Sequence, residues 1–385
     1  MILASAHRVA GGDAMKKTLR RAVLPVLLLA ALTLRADTAR QAAQAAVRQA
    51  ALLVFPSLFP FIAASRLLTG GGALRLRRGD GLSLRWFGVP AAGLGAVLLG
   101  LCGGYPVGVF AACGIYEAGE LTKTQTEKLL RFCNNTGPAI FFGMVGGALF
   151  PDRRVCAALF LIHVLSAVLT GPLVSAGERG RAAQPPKVPP EAEPFSRSLQ
   201  GAVFSALTLC GYVVFFSVLL RLVLEFPPVD RLLSHAPVDR RIAEAILCAL
   251  TDLPTGIAAM AKVAVPAARF VLCAGAIGWG GLCVHVQAAG IWREAGLSPK
   301  GYYSAKGLQA AISCALALPA GGLLFDAALP VWPAALAICA PVIKKAVEKP
   351  PRMRYNKKNE GRRAYAVPKK DRALLRLLRQ GGKGG

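Results

Sequence analysis

The residues best suited to chemistry lie where apolar segments are interrupted by proline, glycine and small polar side chains. The first two interruptions are Gly104-Tyr105-Pro106-Val107-Gly108 and Asn134-Asn135-Thr136-Gly137-Pro138. The other two are Asp252-Leu253-Pro254-Thr255-Gly256 and Gly278-Trp279-Gly280-Gly281. In membrane helices, such breaks present helix ends and free backbone groups to a solute. The chemistry they predict is the binding of a small polar or anionic solute rather than the breaking of bonds.

The interruptions recur in the same order in the two parts of the chain. Each part has a Pro-x-Gly break, then a spacer, then a second break made of small or polar residues. Matching Gly/Pro interruptions in two halves are the best sequence indication of a transporter's binding site. Proline and glycine are also common in membrane helices, so coincidence is the alternative interpretation.

The second break predicts the start of a half-helix at membrane depth. Asn134, Asn135 and Thr136 stand before Pro138, and Asn and Thr are favoured helix caps while Pro is favoured at the first helical position. The free N–H groups and the positive dipole end of such a helix, beside two carboxamides, would suit a carboxylate or a hydroxylated solute. The alternative is an ordinary cap at the membrane surface.

The third and fourth breaks offer a carboxylate and an aromatic face. Asp252 lies between apolar runs, where an ionisable group is a candidate site for a coupling cation or proton; a capping Asp at the interface is the competing interpretation. Trp279 lies beside two glycines and is followed by His285 and Gln287. Trp279 as an interface anchor and His285 as a core residue are the alternatives. The predicted substrate-binding residues are Tyr105, Pro106, Gly108, Asn134, Asn135, Thr136, Gly137, Asp252, Thr255, Gly256, Trp279, Gly280 and Gly281.

Composition indicates that membrane helices hold these breaks. Of the 385 residues, 54% are hydrophobic and 17% charged, and the mean hydropathy is +0.48. Apolar runs of about 18 residues or more indicate helices that cross ~30 Å of hydrocarbon. The sequence therefore predicts an all-α polytopic membrane protein with about eight to ten hydrophobic elements at roughly 20 residues each. It also predicts two related halves that contain broken helices or re-entrant hairpins, as in gate-domain transporters.

The chain divides into five regions by composition. We predict a basic N-terminal segment (1–20), a first membrane half (21–176), a proline-bearing polar linker (177–198), a second membrane half (199–343) and a basic tail without stable structure (344–385). Each half carries one pair of breaks. Residues 36–50 have helical composition and could lie at the membrane interface.

Positive charge is concentrated at the two ends of a chain whose net charge is +26. By the positive-inside rule, both termini are predicted to be cytoplasmic, with the tail attracted to anionic lipid. Nucleic acid is the disfavoured partner for the tail, because its aromatic residues are few. The apolar stretch 22–34 predicts a retained first helix rather than a cleaved signal, and Met15 is an alternative start to Met1.

No motif in the sequence indicates catalysis or metal binding. The chain has 10 cysteines but no Cys-x-x-Cys pair, no spacing typical of metal ligands and no Gly-Lys-Ser/Thr phosphate loop. We interpret the cysteines as small buried hydrophobes. The sequence therefore predicts a protein that is not an enzyme, has no catalytic residue and needs no metal or cofactor. The energy for transport would come from a gradient or a partner.

Taken together, the broken motifs resemble those of a known family. Phe55-Pro56-Ser57-Leu58-Phe59-Pro60-Phe61, the Gly104–Gly108 and Phe132–Pro138 segments, and Gly278-Trp279-Gly280-Gly281-Leu282 are similar to signatures of the sporulation integral membrane protein family of spore-forming Firmicutes (YlbJ/SpoVV type). The resemblance covers about residues 20–340 and implies the nucleoside-recognition gate domain. In the family the third break reads close to Glu-x-Thr-Asn-Gly, which differs from the break at Asp252 here.

The resemblance implies a function as well as a fold. It implies a multi-pass protein of the cell membrane, in the outer forespore membrane during sporulation, that moves dipicolinate from the mother cell to the forespore. Dipicolinate is a small planar dianion, which fits helix N-termini, carboxamides and an aromatic face. A carrier of a nucleoside or another organic anion, and a non-transporting scaffold in spore assembly, are the alternatives. The sequence leaves the driving ion, the direction of flux and the oligomeric state open.

Overall fold

Helices make up all the regular secondary structure of the described residues, as the sequence predicts. The computed structural model describes residues 22–23, 25–70, 80–175 and 194–326, which contain no β-strand. The predicted N-terminal segment, residues 177–193 of the predicted linker, the apolar segment 327–343 and the basic tail lie outside the described residues.

The helices of the first half are α1 (Pro25–Leu34), α2 (Ala36–Gln49), a π-helical turn (Ala50–Val54), α3 (Phe55–Gly70), α4 (Asp80–Trp86), α5 (Ala91–Gly103), α6 (Val107–Glu117), α7 (Lys123–Leu130), a π-helix (Ala139–Val145), α8 (Gly146–Ala148) and α9 (Arg153–Ser175). Helix α7 lies within the charged stretch 117–131, whose composition predicts a connecting segment between apolar helices. It forms because Thr122 and Gln125 cap it reciprocally.

The helices of the second half are α10 (Phe195–Leu224), α11 (Pro227–Ser234), α12 (Arg240–Thr251), α13 (Leu253–Met260), α14 (Pro266–Trp279), α15 (Leu282–Glu294) and α16 (Tyr302–Leu324). Helix α10 begins inside the predicted linker, four residues before the predicted start of the second half at 199.

The polytopic membrane architecture is confirmed. Within the described residues, four stretches are long and apolar enough to cross a membrane: α9, α10, α14 with α15, and α16. Apolar side chains also point outward from these helices; Leu161 is 58% exposed and Phe204 is 72% exposed. In water such surfaces would be unfavourable, whereas lipid chains can cover them.

Three of the four breaks are explained by local backbone chemistry. Helix α5 ends before Gly104, whose φ is +81°, and α14 ends before Gly280 and Gly281, whose φ values are +94° and +85°. Glycine adopts this left-handed region without the clash that a Cβ atom would cause. Asp252 has extended backbone (φ −144°, ψ 121°), which ends α12 and allows α13 to begin at Leu253.

The second break differs in detail from its prediction. A helix does begin directly after Pro138, but Pro138 occupies its N-cap and no side chain caps it. Asn134, Asn135 and Thr136 therefore do not cap this helix. The side chains of Asn134 and Asn135 instead bond to α16, which lies far away in sequence.

Helix order and packing repeat between the two halves. Helices α3, α5, α6, α7, the Ala139–Val145 π-helix and α9 correspond in order to α10, α12, α13, α14, α15 and α16. Part of the packing corresponds too: α6 packs against α15 as α13 packs against the π-helix, while α3 pairs with α10 and α9 pairs with α16. Because α6 and α13 each pack against a helix of the other half, the breaks of both halves face one central region.

A shared core joins the halves. Phe141 and Val145 of the π-helix belong to the same buried cluster as Ile257 of α13 and Ile277 of α14. All described residues belong to one compact unit. The breaks are thus held in a common hydrophobic framework instead of lying in two separate domains.

Candidate functional site

The backbone of the first break lies directly against that of the second. A Cβ atom on Gly137 would lie 2.8 Å from the nitrogen of Gly104 and 2.9 Å from the carbonyl oxygen of Cys102. Contacts this short are far inside the van der Waals distance, so only glycine allows the two chains to approach so closely. The spacing of glycines in these two motifs therefore has a packing reason.

The third and fourth breaks make the corresponding contact in the second half. A Cβ atom on Gly281 would lie 3.1 Å from the nitrogen of Leu253 and 3.3 Å from the carbonyl oxygen of Thr251. A Cβ atom on Gly256 would lie 2.5 Å from the Cα atom of Ala249, so Gly256 packs directly on the preceding helix. Each half thus contains one junction of two breaks.

Tyr105 joins the two junctions. Its hydroxyl donates a 2.7 Å hydrogen bond to the carbonyl of Ile277, which lies just before the fourth break. A Cβ atom on Gly280 would lie 2.9 Å from the same hydroxyl. The side chain of the first break therefore reaches the backbone of the fourth, and all four breaks meet in space.

A cavity of about 510 Å³ lies at this meeting point. Its volume is within the range of small-molecule sites, which are mostly apolar with a few polar groups. Its polar or ionisable side chains are those of Tyr105, Asp252, Cys283 and Gln287. The remaining lining residues are Leu52, Val54, Pro56, Leu58, Gly103, Gly104, Gly137, Ala139, Ile140, Gly143, Met144, Leu209, Val213, Leu253, Pro254 and Val284.

Asp252 combines the two roles considered for it from sequence. Its carboxylate accepts hydrogen bonds from the backbone nitrogen (3.1 Å) and the hydroxyl (2.6 Å) of Thr255, so it caps α13. The residue is 2% exposed and lines the cavity, so the cap lies inside the bundle rather than at its surface. Within the described residues the carboxylate forms no ion pair.

The asparagines of the second break lie in a buried polar cluster and do not line the cavity. Asn134 donates from Nδ2 to the Tyr302 hydroxyl at 2.8 Å, and Asn135 donates to the Phe132 carbonyl at 2.9 Å. Gln309 donates in turn to Asn135 Oδ1 at 2.9 Å. Both asparagines are fully buried. They therefore position the second break against α16, while Gly137 is the residue of this motif that reaches the cavity.

Lys306 is a functional candidate that the sequence reasoning missed. It is fully buried in the first turns of α16, and its Nζ donates to the Asn134 carbonyl at 2.9 Å and to Gln309 Oε1 at 2.6 Å. The ammonium group also lies 5.5 Å from the centroid of the Tyr105 ring. A lone lysine inside the apolar segment 305–324 was the sequence signal that could have revealed it, because ionisable residues within membrane segments are usually functional.

Two histidines flank this cluster. The backbone nitrogen of Thr136 donates to His163 Nε2 at 3.0 Å, which requires the neutral tautomer with its proton on Nδ1. His285 Nδ1 lies 3.2 Å from the Tyr302 hydroxyl. His163 Nδ1, His285 Nε2 and Asn134 Oδ1 are buried without a hydrogen-bond partner among the described residues. Buried polar atoms are normally paired, so these three have capacity for water or a ligand.

The other predicted site residues have packing roles. Trp279 donates from Nε1 to the Leu250 carbonyl at 3.1 Å and meets the His285 ring edge to face at 4.3 Å, away from the cavity lining. Pro106 is the N-cap residue of α6. A Cβ atom on Gly108 would lie 2.0 Å from the Cys133 carbonyl oxygen, so this glycine allows the second break to pack on α6.

Comparison with known proteins supports the predicted relationship. The chain is 24% identical over 294 residues to the sporulation integral membrane protein YlbJ of Bacillus subtilis, across 67% of this chain and 71% of YlbJ. The resemblance to YlbJ-type proteins is thereby confirmed. No family model matches the chain, and no solved structure matches it. The nucleoside-recognition gate domain stays a prediction.

Proposed function

We propose that this YlbJ-type multi-pass membrane protein is a transporter that acts in sporulation and carries dipicolinate. The observation that supports the proposal is that three of the four helix breaks line one cavity of about 510 Å³, together with residues of α15 that follow the fourth break. Broken helices at membrane depth are tolerated where they line a cavity or are buried in protein. In secondary transporters they also mark the substrate site.

The repeated architecture supports transport over a scaffold role. Alternating access requires two halves that can rearrange around a fixed site, and this chain has matching helix pairs whose breaks meet at the centre.

The cavity suits a small aromatic acid. Its mostly apolar walls can cover the faces of a planar ring, while Tyr105 and Gln287 supply hydrogen-bonding groups. Asp252 would oppose an anion in its charged form. We therefore assign to Asp252 the binding of the proton or cation that accompanies the substrate, since an ionisable residue at membrane depth is a functional candidate.

Uptake by purified protein in liposomes tests the proposal. Labelled dipicolinate and labelled nucleosides are offered side by side, with an imposed proton or sodium gradient in separate arms. We expect accumulation of dipicolinate above that of empty liposomes, and its dependence on one of the gradients. Accumulation of a nucleoside alone would assign the other carrier function. Absence of uptake for every solute, with correctly inserted protein, would remove the transporter proposal.

A further inference from the structure

Lys306 is a fully buried lysine whose hydrogen-bond partners are all neutral groups. Its contacts are the Asn134 carbonyl, the Gln309 side-chain oxygen and the face of the Tyr105 ring. Charged groups removed from water are normally paired with an opposite charge, because neutral dipoles repay only part of the lost hydration. The site is therefore electrostatically incomplete.

No carboxylate of the described chain completes it. Asp252 is the one fully enclosed carboxylate among the described residues, and it accepts its hydrogen bonds from Thr255. Lys306 takes part in no ion pair in this part of the protein. The surrounding ionisable side chains, His163 and His285, can add only positive charge. No side chain among the described residues therefore offers a negative charge to a protonated Lys306.

Tyr105 connects this ammonium group to the cavity. The residue lines the cavity, and Lys306 Nζ lies 5.5 Å from the centroid of its ring. The ring is held by the hydrogen bond of its hydroxyl to the Ile277 carbonyl. Packing in the core also holds the ring, and its movement aside would open Lys306 to a solute in the cavity.

A second donor lies beside the same cluster. The Tyr302 hydroxyl accepts from Asn134, so its own proton can be donated to His285 Nδ1. His285 then carries a proton on Nε2, and this atom is buried without a partner among the described residues. An acceptor oxygen of a bound solute would satisfy it.

We propose that Lys306 is the charge-recognition residue for the substrate, and that a carboxylate reaching it past Tyr105 supplies the missing negative charge. The inference deepens the proposed function and rests on it for the identity of the substrate. It accounts for selection of an organic dianion over a neutral solute of similar shape, such as a nucleoside, in a cavity whose walls are otherwise mostly apolar.

Ligand-induced thermal stabilisation of the purified wild-type protein in detergent is the first test. The probes are dipicolinate and its neutral diamide, pyridine-2,6-dicarboxamide, which has nearly the same shape. We expect dipicolinate to bind at least about 30-fold more tightly, since an unpaired buried charge typically costs at least that factor. Equal affinities for the two probes, or no binding of dipicolinate, would overturn the proposal without any variant having to fold.

Variants then locate the charge. Lys306→Met should lose the preference for dipicolinate over the diamide, whereas Lys306→Arg, which keeps the charge, should retain most of it. Lys262→Met is the matched control, because Lys262 is exposed and pairs with Glu244 at 3.1 Å. A Lys306→Met protein that still prefers dipicolinate by the wild-type factor would refute the assignment.

Parallel uptake separates this inference from the proposed function. Lys306-dependent binding without uptake in liposomes would leave the anion site standing and remove the transporter proposal. Uptake of dipicolinate that is unchanged in Lys306→Met would leave the transporter standing and remove the anion site.

Discussion

The contact between Gly137 and Gly104 gives the sharpest test of the site. In a Gly137→Ala variant, the new methyl group would lie 2.8 Å from the Gly104 nitrogen, 2.9 Å from the Cys102 carbonyl oxygen and 3.1 Å from the Gly103 carbonyl carbon. All three atoms belong to the backbone, so no side chain can rotate away. The two breaks must separate by several tenths of an ångström.

The expected loss of stability in Gly137→Ala follows from overpacking. Forcing one extra methyl group into a well-packed region costs typically about 1–3 kcal/mol. A large membrane bundle should survive this loss and still insert. The displaced breaks form part of the cavity wall, so we expect uptake to fall clearly below that of the wild type while the protein still inserts.

The assay is uptake of dipicolinate in liposomes, together with thermal unfolding of the same protein in detergent. Gly147→Ala is the control, because a Cβ atom there has no heavy atom within 4 Å. Alanine also favours helix by about 1 kcal/mol over glycine, so this variant should be as stable and active as the wild type. If Gly137→Ala matches Gly147→Ala in both uptake and stability, the close junction has no functional role.

Four further variants test other parts of the protein. Asp252→Asn should keep the cap of α13 and the thermal stability, but it should abolish the dependence of uptake on the gradient. Asp252→Ala should also abolish this dependence and should in addition lose about 0.5–2 kcal/mol of stability, measured by thermal unfolding, because the cap is removed. Unchanged gradient dependence in Asp252→Asn would leave Asp252 a cap only. Tyr105→Phe removes the hydrogen bond to the Ile277 carbonyl and should lower the free energy of unfolding by about 0.5–1.5 kcal/mol. The affinity for dipicolinate, measured by thermal shift, should change as well. Wild-type affinity would argue against Tyr105 as the connection to Lys306. Deletion of residues 355–385 should leave uptake intact, because each basic residue adds only about 1 kcal/mol of attraction to lipid. Loss of uptake with normal insertion would indicate a partner protein that binds the tail.

Local chemistry made the helix breaks predictable. Gly104, Gly280 and Gly281 adopt positive φ values, and Pro254 stands in the first turn of α13. These are properties of the residues themselves, so the ends of α5, α12 and α14 could be placed from sequence. The membrane architecture was predictable for a similar reason, since the long apolar segments are a matter of composition alone.

The direction of the polar side chains was decided by tertiary structure. Asn134 and Asn135 have the composition of a helix cap, but their side-chain amides bond to α16, where Tyr302 is 168 residues from Asn134 and Gln309 is 174 residues from Asn135. A buried amide takes the partners that packing brings to it, and no local pattern specifies them. Sequence alone therefore determined where the helices break, and only the packing of the two halves determined that three of the breaks line one cavity with a buried lysine beside it.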